Sequence, residues 1–147
     1  MPLKTYRELD VWKCSMDLAA AVYLATKKWP ASERFGLISQ SQRAATSVPS
    51  NIAEGYGRLH RGDYVKHLSY ARGSLLELET QLILAARIGV AEAAALRPIW
   101  TLAQRVGQML NRLIDALRVL DPTEEHGVAR GATSRKGSDN RRLTAPR

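Results

Sequence analysis

Between residues 64 and 120, apolar side chains return at strictly alternating steps of four and three: Tyr64, Leu68, Ala71, Leu75, Leu78, Leu82 and Ala85, then Ile99, Ala103, Val106, Leu110, Leu113, Leu117 and Leu120. On an α-helix that spacing gathers each row on one side, whereas a strand would split it between two faces and bury neither. Gly89 separates the rows and suits a left-handed helix stop, and Pro98 falls within the first two turns of the second row, where a missing amide is tolerated. At ~1.5 Å per residue such helices are long, roughly 33 to 42 Å, and a short connection forces them antiparallel.

The first half of the chain supplies their partners. Leu9, Trp12, Met16, Ala19 and Tyr23 form one stripe, and Val11, Leu18, Val22, Ala25 and Trp29 form a second beside it. The apolar face of this helix is therefore wider than one small bundle needs. Thr5 and Glu8 precede it at capping-box spacing, and Cys14 falls off both stripes, an incidental helix residue. Ile38, Ala45, Val48 and Ile52 form the next stripe, where Pro49 removes a backbone donor and predicts a kink. Glycine and proline cluster between these segments, which places helices over about 6–28, 32–57, 62–88 and 91–120. The expected fold is all-α, an antiparallel up-down four-helix bundle over residues 1–120.

From Asp121 onward the apolar pattern stops, and six basic residues face four acidic ones among Gly, Ser and Thr. Such a stretch cannot bury enough apolar surface to offset its chain entropy, so residues 121–147 are expected to be a disordered basic tail. The whole chain carries a formal charge of +8, and removing the tail's excess of two leaves +6 on residues 1–120. That excess favours an anionic partner. One cysteine in 147 residues fits a reducing compartment. No apolar run approaches the ~20 residues that span a bilayer, and Met1 to Thr5 lacks a signal peptide's apolar stretch. A cytoplasmic protein with no membrane role is expected.

Spacing also argues against catalysis. A di-metal bundle needs Glu-x-x-His pairs, and neither Glu54, Glu77 nor Glu79 has a histidine three residues later. His60, His67 and His126 are too scattered for a metal site or a histidine-based triad. Gly55-Tyr56-Gly57-Arg58 follows a helix instead of a strand and lacks the lysine and hydroxyl of a nucleotide loop, so it reads as a helix C-cap. The expectation is no enzyme, no cofactor and no metal.

Two sets of polar residues remain. Gln40, Gln42, Arg43, Ser47, Ser50, Asn51 and Glu54 accompany the Pro49 helix, and Arg43 could pair with Glu77 or Glu79 on the next one. This set reads as a structural polar network that fixes register, or as a contact surface for a ligand or subunit. Lys27, Lys28 and Arg34 flank the first turn, while Arg58, Arg61, Lys66 and Arg72 flank the second, with Tyr56 and His60 as stacking partners. These turns lie at opposite ends of an up-down bundle. Each is an electrostatic footprint for RNA or DNA, or a solvated helix end.

The segments Leu9-Asp10-Val11-Trp12, Trp29 to Leu37, Gln42-Arg43-Ala44-Ala45, Ser47 to Gly55, Ala71-Arg72-Gly73-Ser74-Leu75 and Glu77 to Leu82 carry a further signal. Together they resemble the bacterial four-helix-bundle family of ribosomal RNA intervening-sequence proteins, over roughly residues 3 to 120. The resemblance implies a homopentamer whose bundles stand side by side in a ring. It also implies a relation to the accessory variability proteins of diversity-generating retroelements, basic pentamers that bind nucleic acid and a reverse transcriptase. The resulting expectation is a non-enzymatic oligomer that binds RNA or DNA with little sequence preference through Lys27, Lys28, Arg58, Arg61, Lys66 and Arg72. The alternative is a protein-interaction or scaffold module whose charge serves solubility.

Overall fold

A computed structural model of the chain describes residues 3–120. Four α-helices account for most of them: α1 Asp10–Thr26, α2 Ser39–Tyr56, α3 Arg61–Arg87 and α4 Ala93–Val119. Each helix packs on its neighbours in sequence, and α4 closes the ring against α1. The result is an antiparallel four-helix bundle. The disordered tail expected from Asp121 onward lies outside the described residues.

The core is where the two strict rows meet the first half of the chain. Leu68, Ala71, Leu75, Leu78, Leu82 and Ala85 from α3 are buried against Ile99, Ala103, Val106 and Leu110 from α4. Near the end of α4, Ile114 takes the buried place and Leu113 is only half-buried, because the straight 3.6-residue helix drifts off a seven-residue repeat. The α3–α4 turn is a Schellman motif: Gly89 adopts φ 78°, the Val90 amide reaches back to the Ala85 carbonyl at 2.9 Å, and the Gly89 amide bonds Ala86 at 3.3 Å.

On α1 the second stripe wins. Val11, Leu18, Val22 and Trp29 are buried, and Cys14 joins them in the core instead of standing aside. Two adjacent apolar stripes leave the inward direction undecided by periodicity alone, and Cys14 lies on the side that faces α4. Burial pushes its thiol upward, Arg105 pulls it back, and Asp17 pushes it further up. Met16 and Tyr23 of the first stripe remain exposed.

Two local features differ from the sequence reading and a third refines it. The Thr5–Glu8 pair caps a single turn, Tyr6–Glu8, and not the long helix: the Arg7 amide donates to Thr5 Oγ1 at 2.9 Å and the Lys4 amide to Glu8 Oε2 at 2.7 Å. The second helix starts at Ser39, not near residue 32, because Ala31–Glu33 and Arg34–Ile38 form two separate turns around Gly36 (φ −106°, ψ −113°), with Glu33 capping the Leu37 amide. Finally, α2 runs through Pro49 and is capped by Gly57, as the C-cap reading of the Gly55–Arg58 segment expected, while Gly55 itself lies inside the last turn. It is buried where α2 crosses α3, and a Cβ there would lie 2.8 Å from His67 Cβ and 3.2 Å from the Tyr64 carbonyl oxygen.

Candidate nucleic-acid interface

The polar side chains of α2 divide into separate contacts. Gln42 Nε2 donates to Thr26 Oγ1 at 3.0 Å and ties α2 to α1. Ser47 and Ser74 share a hydroxyl bond of 2.8 Å, and Asn51 Nδ2 donates to the Ser47 hydroxyl at 3.1 Å. His67, which the sequence reading passed over, extends this track: its Nδ1 lies 3.4 Å from Asn51 Oδ1 and 3.9 Å from Glu54 Oε2. Glu54 in turn sits 3.6 Å from Arg58. The track therefore runs Ser74, Ser47, Asn51, His67, Glu54, Arg58 along the α2–α3 seam, where it fixes register.

Arg43 takes no part in it. The pairing of Arg43 with Glu77 or Glu79 does not form, and Arg43 stands exposed with no ion pair among the described residues. Glu77 instead accepts from Gln81 one turn along α3 at 3.3 Å, and Glu79 accepts from Gln104 of α4 at 2.9 Å. The Ser47–Ser74 bond sets the α2–α3 register and brings Arg43 about level with Glu77, yet Arg43 pairs with neither carboxylate.

At the same end of the bundle Tyr64 packs edge-on against Tyr56, with ring centroids 6.1 Å apart. Burial, and then Tyr56, push the Tyr64 phenol up to about 12. An unfolded phenol titrates near ~10, so above that pH the unfolded chain releases a proton that the folded chain keeps. Stability is therefore expected to fall as pH rises from ~10 towards ~12, and Tyr64→Phe should remove that part of the fall. Urea midpoints measured for both proteins at ~pH 9 and ~pH 11.5 check it. An equal fall in the variant would assign the loss to other groups.

The six cations named from sequence do not form one patch. Lys27 and Lys28 follow α1 at one end, whereas Arg58, Arg61 and Lys66 cluster around the start of α3 at the other. Arg58 pairs with Glu54, and Arg61 Nη1 donates to the Leu120 carbonyl at 3.0 Å, where a cation also meets the negative end of the α4 dipole. Both are engaged in holding the fold. Arg72 lies three turns into α3, well away from either end.

A different basic surface emerges on α4. This helix holds four arginines and one aspartate, +3 of the +6 that residues 1–120 carry. Helical periodicity sets Arg97, Thr101, Arg105, Gln108 and Arg112 on the solvent side of α4, away from the buried Ile99, Ala103, Val106 and Leu110. All five are exposed, and none of the three arginines has an ion pair among the described residues. Along the helix axis they rise by ~12 and ~10 Å, in an oblique band from the α3 side of α4 at Arg97 towards the α1 side at Arg105. The Gln104–Glu79 bond and the approach of Leu75 to Gly107 fix the antiparallel register, which brings Arg72 of α3 level with Arg112. Steps of seven and eight residues were the signal in the sequence.

Among the described residues no cluster of three or more His, Cys, Asp or Glu side chains could hold a metal, and no helix is long and apolar enough to cross a membrane. No curated protein matches the chain. A crystal structure of a protein of unknown function from the S23 ribosomal protein family, from Bacteroides thetaiotaomicron VPI-5482, shares the fold. It aligns with a TM-score of 0.64 at 22% identity, over 71% of this chain and 97% of that one. The 23S rRNA-intervening sequence proteins match residues 7–112, nearly the whole bundle. The chain belongs to the 23S rRNA-intervening sequence protein family.

Proposed function

We propose that this protein is a non-enzymatic, self-assembling bundle, five copies to a ring as the family resemblance implies, that binds the phosphate backbone of RNA or DNA in the cytoplasm. The observation that carries the reading is the solvent side of α4: three arginines with no ion pair among the described residues, interspersed with amide and hydroxyl side chains that can also donate to phosphate oxygens. Lys27, Lys28, Lys66 and Arg72 add to the field, and Arg58 and Arg61 hold the fold. In a five-membered ring the body charge would sum to roughly +30.

Self-assembly is supported by two unlike apolar surfaces. A groove of about 450 Å³ between α1 and α2 is lined by Trp12, Met16, Tyr23, Pro49 and Ala53 among others. The outer side of α3 exposes Tyr70, Leu76, Leu84 and Ile88. Unlike patches that complement one another pair head to tail and close into rings, whereas a two-fold dimer needs only one.

A protein-docking or scaffold role, with a reverse transcriptase as one such partner, is the second reading. It is favoured by Phe35 and Leu59, 89% and 97% exposed in turns at opposite ends. Light scattering and oligonucleotide titration test the first. It expects a mass near five times 16.3 kDa and RNA or DNA binding at ~50 mM salt, with log affinity falling linearly in log salt. A concentrated sample that stays at one chain's mass would overturn the assembly, and no binding at that salt would overturn the nucleic-acid role.

A further inference from the structure

Beside the arginine row, α3 and α4 enclose a shallow depression of about 240 Å³ lined by Leu82, Ile83, Ala86, Leu96, Arg97 and Trp100, with Ala93 at its edge. Trp100 is the aromatic residue of this lining and keeps 36% of its surface exposed. Arg97 belongs both to this depression and to the α4 row. An apolar floor, one indole face and one guanidinium therefore adjoin a track of cations.

The volume falls below the ~300–1,000 Å³ of sites that enclose drug-sized ligands. It suits a single flat ring carrying a negative charge at its edge. We infer that the depression seats one unpaired base of a single-stranded nucleic acid, stacked on Trp100, while its phosphates pass over Arg97 towards Arg105 and Arg112. This rests on the nucleic-acid reading above and names its ligand class. The charge complementarity of the α4 row supplies the backbone contact, and the aromatic wall supplies a contact that every base can make whatever its sequence. A duplex offers the same phosphates, but its bases are paired and stacked inside, and drawing one out costs unstacking energy. Trp100 therefore contributes to single strands alone.

The test is fluorescence anisotropy of the 147-residue chain at ~50 mM salt with labelled 20-nucleotide oligo-U RNA and oligo-dT DNA, and with RNA and DNA duplexes of the same length. Trp100→Leu keeps the depression filled and removes the aromatic face; Trp100→Phe restores a smaller one. The leucine variant is expected to weaken single-strand binding by ~5- to 100-fold while duplex binding changes less than about twofold, with phenylalanine recovering most of the loss. The RNA and DNA arms show which backbone is preferred. Equal losses on single strands and duplexes, or no loss on single strands, would overturn the inference while leaving phosphate binding in place. A change in oligomeric mass at unchanged affinity would assign the depression to a second copy of the chain and overturn it too. Wild-type protein that binds none of the four probes would overturn the nucleic-acid reading itself.

Discussion

Gly55→Ala is expected to destabilise the bundle by about 1–3 kcal/mol, and Gly73→Ala to stabilise it by about 0.5–1 kcal/mol, although both are glycine-to-alanine changes inside helices. The difference is what the added methyl meets. At Gly55 it would lie 2.8 Å from His67 Cβ, 3.0 Å from the Tyr64 ring and 3.2 Å from the Tyr64 backbone oxygen. None of these is the free end of a flexible side chain, so α2 and α3 must separate, and the Asn51–His67 contact goes with them. At Gly73 nothing lies within 4 Å, and only the gain in helix propensity remains. Chemical denaturation of the two variants checks the opposite signs. A stabilised Gly55→Ala would mean that the helices do not cross where the structure puts them.

The second large effect belongs to the α4 row. Changing Arg97, Arg105 and Arg112 together to Gln removes three cations and leaves side chains that still donate hydrogen bonds. The salt slope should fall by roughly 2 to 3, which at ~0.1 M salt corresponds to roughly a 100-fold loss of affinity or more. The same number of changes at Lys27, Lys28 and Lys66 should cost much less, because those charges lie at opposite ends and cannot meet one stretch of backbone together. Folding should be nearly unaffected in both, since all six side chains are exposed and none forms an ion pair among the described residues.

How far the sequence could be read follows from the same contrast. The α3 and α4 rows were legible because each has one apolar stripe and hence one inward direction. On α1 two stripes competed, and periodicity could not say that Cys14 would be buried while Met16 and Tyr23 stayed out. Residues 32–38 were read as the start of a helix, although Glu33 capping Leu37 and the unusual backbone of Gly36 delay α2 to Ser39. The C-cap read at Gly55-Tyr56-Gly57-Arg58 forms at Gly57, but the spacing carried no sign that Gly55 is where α2 and α3 touch.

The prominence of charges along the sequence differs from their arrangement on the fold. Lys27, Lys28, Arg58 and Arg61 attract notice because they are close in sequence, yet Arg61 is bound to the Leu120 carbonyl and Arg58 stands beside Glu54. Arg97, Arg105 and Arg112 are eight and seven residues apart and look isolated until a helix brings all three to its solvent side. Arg72, named from sequence for the wrong turn, returns to the argument through the register that brings it level with Arg112. Arg43 and Glu77 illustrate the converse. Their charges are opposite and the α2–α3 register sets them about level, yet no ion pair forms between them.

The central claim, that the α4 arginine row carries phosphate binding, is tested most directly by comparing salt dependence. Affinity of the wild-type chain and of the Arg97/Arg105/Arg112→Gln variant for one labelled oligonucleotide is measured from ~50 to ~200 mM salt, with circular dichroism and light scattering confirming that fold and assembly are retained. The account predicts a variant slope shallower by roughly 0.7 per cation removed on a single strand and ~0.9 on a duplex. Two parallel lines, or a variant that binds as tightly as the wild type throughout, would contradict it.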